Sequence, residues 1–412
     1  MNIRIKHIIG SLLTAACFLM SYTSYSSYLM GTDWLVELVG WITIVFTFSE
    51  YLFNVSIDDM KKFIPFSIKF FAIIFIYTIS RQIKDTLIVS SFGGEGATLC
   101  KVFVLFLSII YPLIYRRLTH NSQKSKIIYF AILPFLIYFV LHAFILFDNP
   151  MFTPMISSNN LLLKLLTIWP NVLYYVFAEL FASVVLIVYF WQTANNFHTK
   201  DECKRIYPAF MVIAQFATML TSRCSTFLCK NQWINIHYGF GGVLKFISLI
   251  MLSLGIICIL ANNYFFNSLN ENEKDGIHAV SKKNKAKCDN LWEIIKSKPH
   301  YILVALLSVY YGICTLWMEQ FWKSRARILY PDKMQYQAFS GNYFLIQSRM
   351  SLFMIIFGSN ILLNYMPWFV TAAITPLIVY ISGFFLFGFD TIKTFFSSDV
   401  AHTTHLIVGI GT

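Results

Sequence analysis

Unbroken apolar runs of about twenty residues constrain this chain before anything else does: Ile127 to Phe147, Pro170 to Tyr189 and Phe240 to Ala261 are the clearest. At 1.5 Å of rise per residue, a helix of about 20 residues crosses the roughly 30 Å hydrocarbon core of a bilayer. The apolar residues come in blocks and do not alternate with polar ones, which favours helices over a transmembrane barrel. Composition agrees, because a chain of 412 residues with 57% hydrophobic and only 13% charged residues cannot coat a water-soluble globule. The expected fold class is all-α, polytopic and surrounded by lipid bilayer.

The formal net charge of +12 is distributed between the apolar blocks and forms no single basic stripe, so nucleic acid is not an expected partner. The basic residues read as topology signals. One connecting segment carries Arg116, Arg117, Lys124 and Lys126, and a longer one contains Lys282 to Lys287. The positive-inside rule places both in the cytoplasm. Lys200, Lys204 and Arg205 fall on the same side by parity, and the segment from Asp148 to Trp169, with Lys164 as its only Lys or Arg, falls outside.

Spans are expected at about 63–80, 97–115, 127–147, 170–192, 207–227, 240–263, 300–318, 339–361 and 366–388. The start, MNIRIKH followed by Ile8 to Met20, is laid out like a signal peptide but lacks a convincing cleavage site, so with Trp34 to Phe53 it reads as an uncleaved pair of spans. The expected organisation is an N-terminal extension over 1–57, a first six-helix half over 58–263, a basic cytoplasmic loop over 264–299 and an incomplete second half over 300–412.

An ionisable side chain inside a span costs roughly 2.5 to 3.5 kcal/mol on insertion scales, so it usually faces a cavity or a partner. In YTISRQIKDTLIVS, Arg81 and Asp85 stand one turn apart, close enough to neutralise each other, which leaves Lys84 as the unpaired cation. Two readings of Lys84 stand: a functional cation, or a lysine that snorkels to the interface. Glu179, in YYVFAELFASVVLIVYFW, is far in sequence from any other charge. It is protonated, hydrogen-bonded to a neighbouring helix, or paired with a cation such as Lys84. Glu319 and Lys323 are four apart in WMEQFWKSRARILYP and can form an intrahelical pair, with Arg325 and Arg327 following. That cluster is either the mouth of a cavity for a polyanion or an interfacial anchor with Trp317 and Trp322.

Enzymatic signals are weak. GGEGATLCK, from Gly93 to Lys101, is glycine-rich without the spacing of a phosphate cradle, and HExxH is absent from the sequence. The eight cysteines are scattered, Cys224 and Cys229 coming closest to a pair, and His402 and His405 in the tail do not make a metal site. No catalytic residue, metal or cofactor is expected.

Four stretches in order carry a family resemblance: KKFIPFSIKFFAIIFIYTISRQIKDTLIVS, AELFASVVLIVYFWQTANNFHTKDECKRIYP, YGICTLWMEQFWKSRARILYP and GSNILLNYMPWFVTAAITPLIVYISG. Together they resemble the bacterial and plastid ATP/ADP translocases, nucleotide antiporters of obligate intracellular bacteria and plastids. The resemblance runs from about Asp58 to about Gly383. It implies a fold similar to the major facilitator transporters, ATP and ADP as exchanged substrates, and a multi-pass location in a bacterial inner membrane. It also implies functional roles for Lys84 as a phosphate contact, and for Glu179 and Glu319 in pairs that re-form between transport states. Glu95 and Lys101 fall where the family has a glutamate and a lysine, and Arg81 and Lys323 complete the candidate transport residues.

Two departures accompany the resemblance. The family continues through three further spans and a lysine-bearing motif beyond the match, so the sequence is also expected to be compatible with a truncated inactive paralogue. Met211, Gln215 and Met219 stand where the family commonly has Gly, Asn and Pro, which leaves room for another nucleoside triphosphate.

Overall fold

A computed structural model of the chain describes residues 57–119, 122–147, 149, 151–152, 160–268, 300–355 and 367–387. The N-terminal pair of spans, residues 269–299 of the basic loop, and His402 and His405 lie outside the described residues. Every described regular element is helical, as the apolar blocks require, and the chain is a polytopic all-α membrane protein. Residues 1–63 with 199–211 form one compact unit, and 64–198 with 212–412 form another.

The helices are α1 (Ile57–Thr119), α2 (Ile127–Leu141), α3 (Leu161–Thr167), α4 (Trp169–Phe181), α5 (Gln192–Phe197), α6 (Lys200–Lys230), α7 (Gln232–Ser268), α8 (His300–Leu329), α9 (Lys333–Phe353) and α10 (Trp368–Phe387). A π-helical stretch, Ala182–Trp191, joins α4 to α5, and a π turn, His142–Leu146, extends α2. Among the described residues, four segments are long and apolar enough to cross a membrane: Lys62–Thr119, Ile127–Leu146, Trp169–Phe197 and Gln232–Ser268. Helices α6 and α9 are long but more polar, and α8 carries its charges in its second half. Several of their polar side chains are buried inside the protein, among them Thr221, Ser222, Ser225, Lys323, Gln337 and Ser348.

Expected and observed boundaries differ where charge was taken to end a span. Helix α1 does not stop near residue 80; it continues to a break at Gly93, whose φ of 72° lies in the left-handed region that glycine adopts without a steric penalty. A similar break at Gly239, φ 55°, starts the regular part of α7 where the sequence places its span. Helix α8 runs on to Leu329, beyond the expected end at 318. The buried ion pairs described below let these helices carry charge through their middles.

In the smaller unit, Thr199 and Glu202 form a capping box at the start of α6. The Thr199 backbone N–H donates to Glu202 Oε2 at 2.6 Å, and the Glu202 N–H donates to Thr199 Oγ1 at 3.3 Å. Lys62 Nζ lies 3.7 Å from Glu202 Oε1, and Phe63 stacks on Phe210.

In the larger unit, aromatic edges lock the first group of helices. Phe66 packs on Phe190 and Phe265, and Phe135 packs on Phe181 and Phe177. Lys69, 1% exposed, keeps its ammonium 3.8 Å from the Phe66 ring centre and 3.4 Å from Asn262 Oδ1. Helices α2 and α7 approach closely because residue 255 is glycine: a Cβ there would lie 2.1 Å from Leu136 Cδ1. Leu136 is itself buried. Gly255→Val is expected to destabilise the protein by about 1–3 kcal/mol through overpacking, read as a lower melting temperature in detergent. Gly312→Val is the control, because an added Cβ there meets nothing within 4 Å.

Candidate functional site

Helical geometry brings the buried charges to one level. Lys84 and Lys101 lie nine and eight residues on either side of Gly93, so with the chain folding back at that break each stands about 12–13 Å from it. Glu179 is in the last turn of α4, three residues before the π-helical stretch, and such wider turns are often found at functional sites. Glu319 and Lys323 are one turn apart on α8.

These residues form a continuous chain of ion pairs. Lys84 Nζ is 2.8 Å from Glu179 Oε1 and 3.2 Å from Asp85 Oδ1. Lys323 Nζ is 2.8 Å from the same Asp85 oxygen and 2.8 Å from Glu319 Oε1. Lys101 Nζ completes the chain, 2.7 Å from Glu319 Oε2. Lys84 and Lys323 are only 2% and 3% exposed, whereas the side chains of Lys101, Glu179 and Glu319 are about one-quarter to one-third exposed. The Tyr175 ring supports the Lys84 ammonium at 4.1 Å, and its buried hydroxyl has no hydrogen-bond partner among the described residues.

The sequence reading of Lys84 with Glu179 and of Glu319 with Lys323 matches these contacts. The expected neutralisation of Asp85 by Arg81 does not: Asp85 is held by Lys84 and Lys323, and the Arg81 guanidinium lies over the Phe344 ring at 5.5 Å. Lys84 is therefore neither unpaired nor snorkelling. Glu95 is exposed and is not brought into the cluster. Sequence reasoning missed Tyr175 and the true role of Asp85; an acidic residue at the middle of an apolar helix, next to a lysine, was the available signal for the latter.

On the Leu329 side of the ion pairs, the two groups of helices are sealed together. Ile88, Val89 and Tyr175 from the first group pack with Trp322, Ala326 and Phe339 from the second in one apolar layer. Uncharged hydrogen bonds cross the same side. The Thr86 hydroxyl donates to Gln337 Oε1, Gln337 Nε2 donates to Ser225 Oγ at 2.8 Å, and the Gly94 N–H donates to Ser324 Oγ at 3.2 Å. Arg327 donates to the Ser91 carbonyl at 2.7 Å. Backbones nearly touch here, since a Cβ on Gly94 would lie 2.4 Å from the Gln320 carbonyl oxygen.

Toward the His300 end of α8 a cavity of about 280 Å³ opens beside the ion pairs. Arg81, Asp85, Glu319 and Lys323 line it together with Tyr311, Thr315, Tyr343 and Gln347. The surrounding cluster sets four cations, Arg81, Lys84, Lys101 and Lys323, against the three carboxylates Asp85, Glu179 and Glu319.

A charged cavity among membrane helices, bordered on one side by a packed apolar layer, is the arrangement of a polytopic membrane transporter. The chain belongs to the TLC ATP/ADP transporter family, whose model matches residues 43–411. It is 30% identical over 370 residues to ADP,ATP carrier protein 4 of Rickettsia felis, a match covering 84% of this chain and 71% of the relative. It is 31% identical over 360 residues to the chloroplastic ADP,ATP carrier protein 1 of Arabidopsis thaliana, covering 82% of this chain and 57% of the relative. Identity to ADP,ATP carrier protein 1 of Chlamydia trachomatis is 27% over 388 residues, covering 88% and 71%. No solved structure matches the chain.

Removing one partner of a buried ion pair leaves an uncompensated charge, so Lys323→Ala is expected to destabilise the protein by about 3–5 kcal/mol. Lys101→Ala, at a partly solvated pair, is expected to cost about 1 kcal/mol or less. Melting temperatures of the two purified variants compare them directly, and a larger loss for Lys101→Ala would contradict the burial argument.

Proposed function

We propose that this chain is a nucleotide antiporter that exchanges ATP for ADP across a bacterial inner membrane. The observation that carries the reading is the pair of ion bridges between the two groups of helices, Lys101 to Glu319 and Lys323 to Asp85. In the empty carrier they tie the groups together. A nucleotide brings three or four negative charges, which compete with the carboxylates for Lys84, Lys323 and Arg81. Once phosphate oxygens take those cations, Glu179, Asp85 and Glu319 lose their partners, the ties between the groups weaken, and the loaded carrier can change its open side. When the nucleotide leaves, the pairs re-form. An empty carrier that is locked by its own ion pairs returns only with a second nucleotide, which is the requirement for exchange.

The names of the relatives, ADP,ATP carrier proteins, support ATP and ADP as the substrates. The single excess cation of the cluster favours an anionic ligand in general. The charge pattern of the connecting segments supports a cytoplasmic mouth for the cavity.

Cells expressing the chain are expected to take up labelled ATP, faster when preloaded with ADP. Uptake no greater than in control cells would overturn the reading. Lys84→Ala is expected to reduce exchange by about 10- to 100-fold, the worth of a charge-assisted contact, while the protein remains in the membrane. Lys101→Ala loosens one tie, so uptake into cells without preloaded ADP is expected to rise relative to exchange. An unchanged ratio would remove the locking role from the Lys101–Glu319 pair.

A further inference from the structure

The cavity is chemically two-ended. Its charged lining sits at Arg81, Asp85, Glu319 and Lys323. Thr315 and Tyr311 lie one and two turns from Glu319 toward His300, and Gln347 lies two turns from Ser340 toward Phe353. Helices α8 and α9 are joined by only three residues, 330–332, and pack against each other through Trp322 and Tyr343, so these uncharged residues share one end of the cavity. Eight residues of helix separate Tyr311 from Glu319 by about 12 Å, comparable to the distance from the base to the terminal phosphate of an extended nucleoside di- or triphosphate.

Most aromatic rings that line the cavity are already engaged. Phe344 lies under the Arg81 guanidinium, Tyr343 packs on Trp322 at 4.8 Å, and Tyr336 packs on Phe339. Tyr311 has no ring or cation partner among the described residues and is 49% exposed. Gln347 is half-buried, and its amide has no hydrogen-bond partner among the described residues. A free aromatic face beside a free amide is the combination that recognises a nucleobase: the ring stacks on any base, and the amide reads an edge.

On the reading that this cavity takes nucleotides, we infer that its uncharged end is an adenine subsite in which Tyr311 stacks on the base and Gln347 hydrogen-bonds its edge. A glutamine amide offers a donor and an acceptor together, which fits the amino group and ring nitrogen of adenine. On the edge that carries N7, adenine presents an amino donor beside the N7 acceptor, whereas guanine presents two acceptors, O6 and N7, and leaves the amide oxygen unmatched. The phosphates then enter first, toward Lys323, and the base is held nearer the mouth. This gives base selectivity to residues that make no part of the ion-pair chain.

Ligand-induced thermal stabilisation of the purified full chain tests this without relying on transport, with ATP, GTP and inorganic tripolyphosphate as probes. The wild type is expected to respond to ATP at lower concentration than to GTP. Tyr311→Ala is expected to weaken the ATP response about tenfold and Tyr311→Phe to preserve it. Gln347→Ala is expected to reduce the ATP-over-GTP preference about tenfold. Neither variant should change the tripolyphosphate response, because that ligand has no base. An unchanged ATP-over-GTP preference in Gln347→Ala, or a tripolyphosphate response that falls in parallel with ATP, overturns the subsite. A wild type that responds to tripolyphosphate but equally to ATP and GTP also overturns it, whereas one that responds to none of the three refutes the nucleotide reading itself. Tyr311 is half exposed and outside the packed layer, so its truncation does not threaten the fold, and the tripolyphosphate response of each variant verifies that its charged end is intact.

Discussion

The Lys323 ammonium, shared between Asp85 of one group of helices and Glu319 of its own, is the interaction on which the rest of the site depends. A bare ammonium at this depth carries a desolvation penalty of several kcal/mol, and only close carboxylates can offset it. Those carboxylates in turn need further cations, which is why the cluster extends to Lys84, Glu179 and Lys101 and does not stop at a single pair. Each member is tolerable because its neighbours are present. The backbone features around the site serve that end: the break at Gly93 returns Lys101 to the level of Lys84, and the π-helical stretch begins three residues after Glu179.

The two sides of this charged layer use different physics. On one side, apolar packing and hydrogen bonds between uncharged groups hold the helices together, with close backbone contact at Gly94. Apart from the Arg327 bond to the Ser91 carbonyl, these contacts carry no net charge and individually contribute only about 0.5–1.5 kcal/mol, so they can be broken and exchanged without leaving an ion stranded in a low dielectric. On the other side the charges border a cavity, where a ligand can substitute for one partner of an ion pair. A transporter needs both properties: a seal that opens at modest cost and a charged layer that responds to the ligand.

The first group of helices is tightly packed. Its aromatic contacts among Phe66, Phe190, Phe197 and Phe265, and the close approach of α2 to α7 at Gly255, leave little freedom between its members. Lys69, Tyr189 and the Ser125 carbonyl all meet at the Asn262 side chain, a polar junction that fixes register without taking part in the ion-pair chain.

Much of this was legible in the amino-acid order. The apolar blocks dictate membrane helices because a bilayer satisfies no backbone hydrogen bonds, and the cost of burying a charge singled out Lys84, Glu179 and Glu319. Their local chemistry also gave the i, i+4 pair of Glu319 with Lys323. Helix boundaries were misjudged where charges were taken as ends, because a charge in the middle of a span is acceptable only when its partner is known. That partner lies far away in sequence. Asp85 meets Lys323 across 238 positions, Lys101 meets Glu319 across 218, and Thr86 meets Gln337 across 251. Sequence spacing ranked Arg81 as the neighbour of Asp85 because it sees only one helix. The sequence by itself determined that charges are buried in membrane helices; tertiary packing alone decided which of them touch, since ion pairing falls off over a few ångströms and chain distance does not measure it.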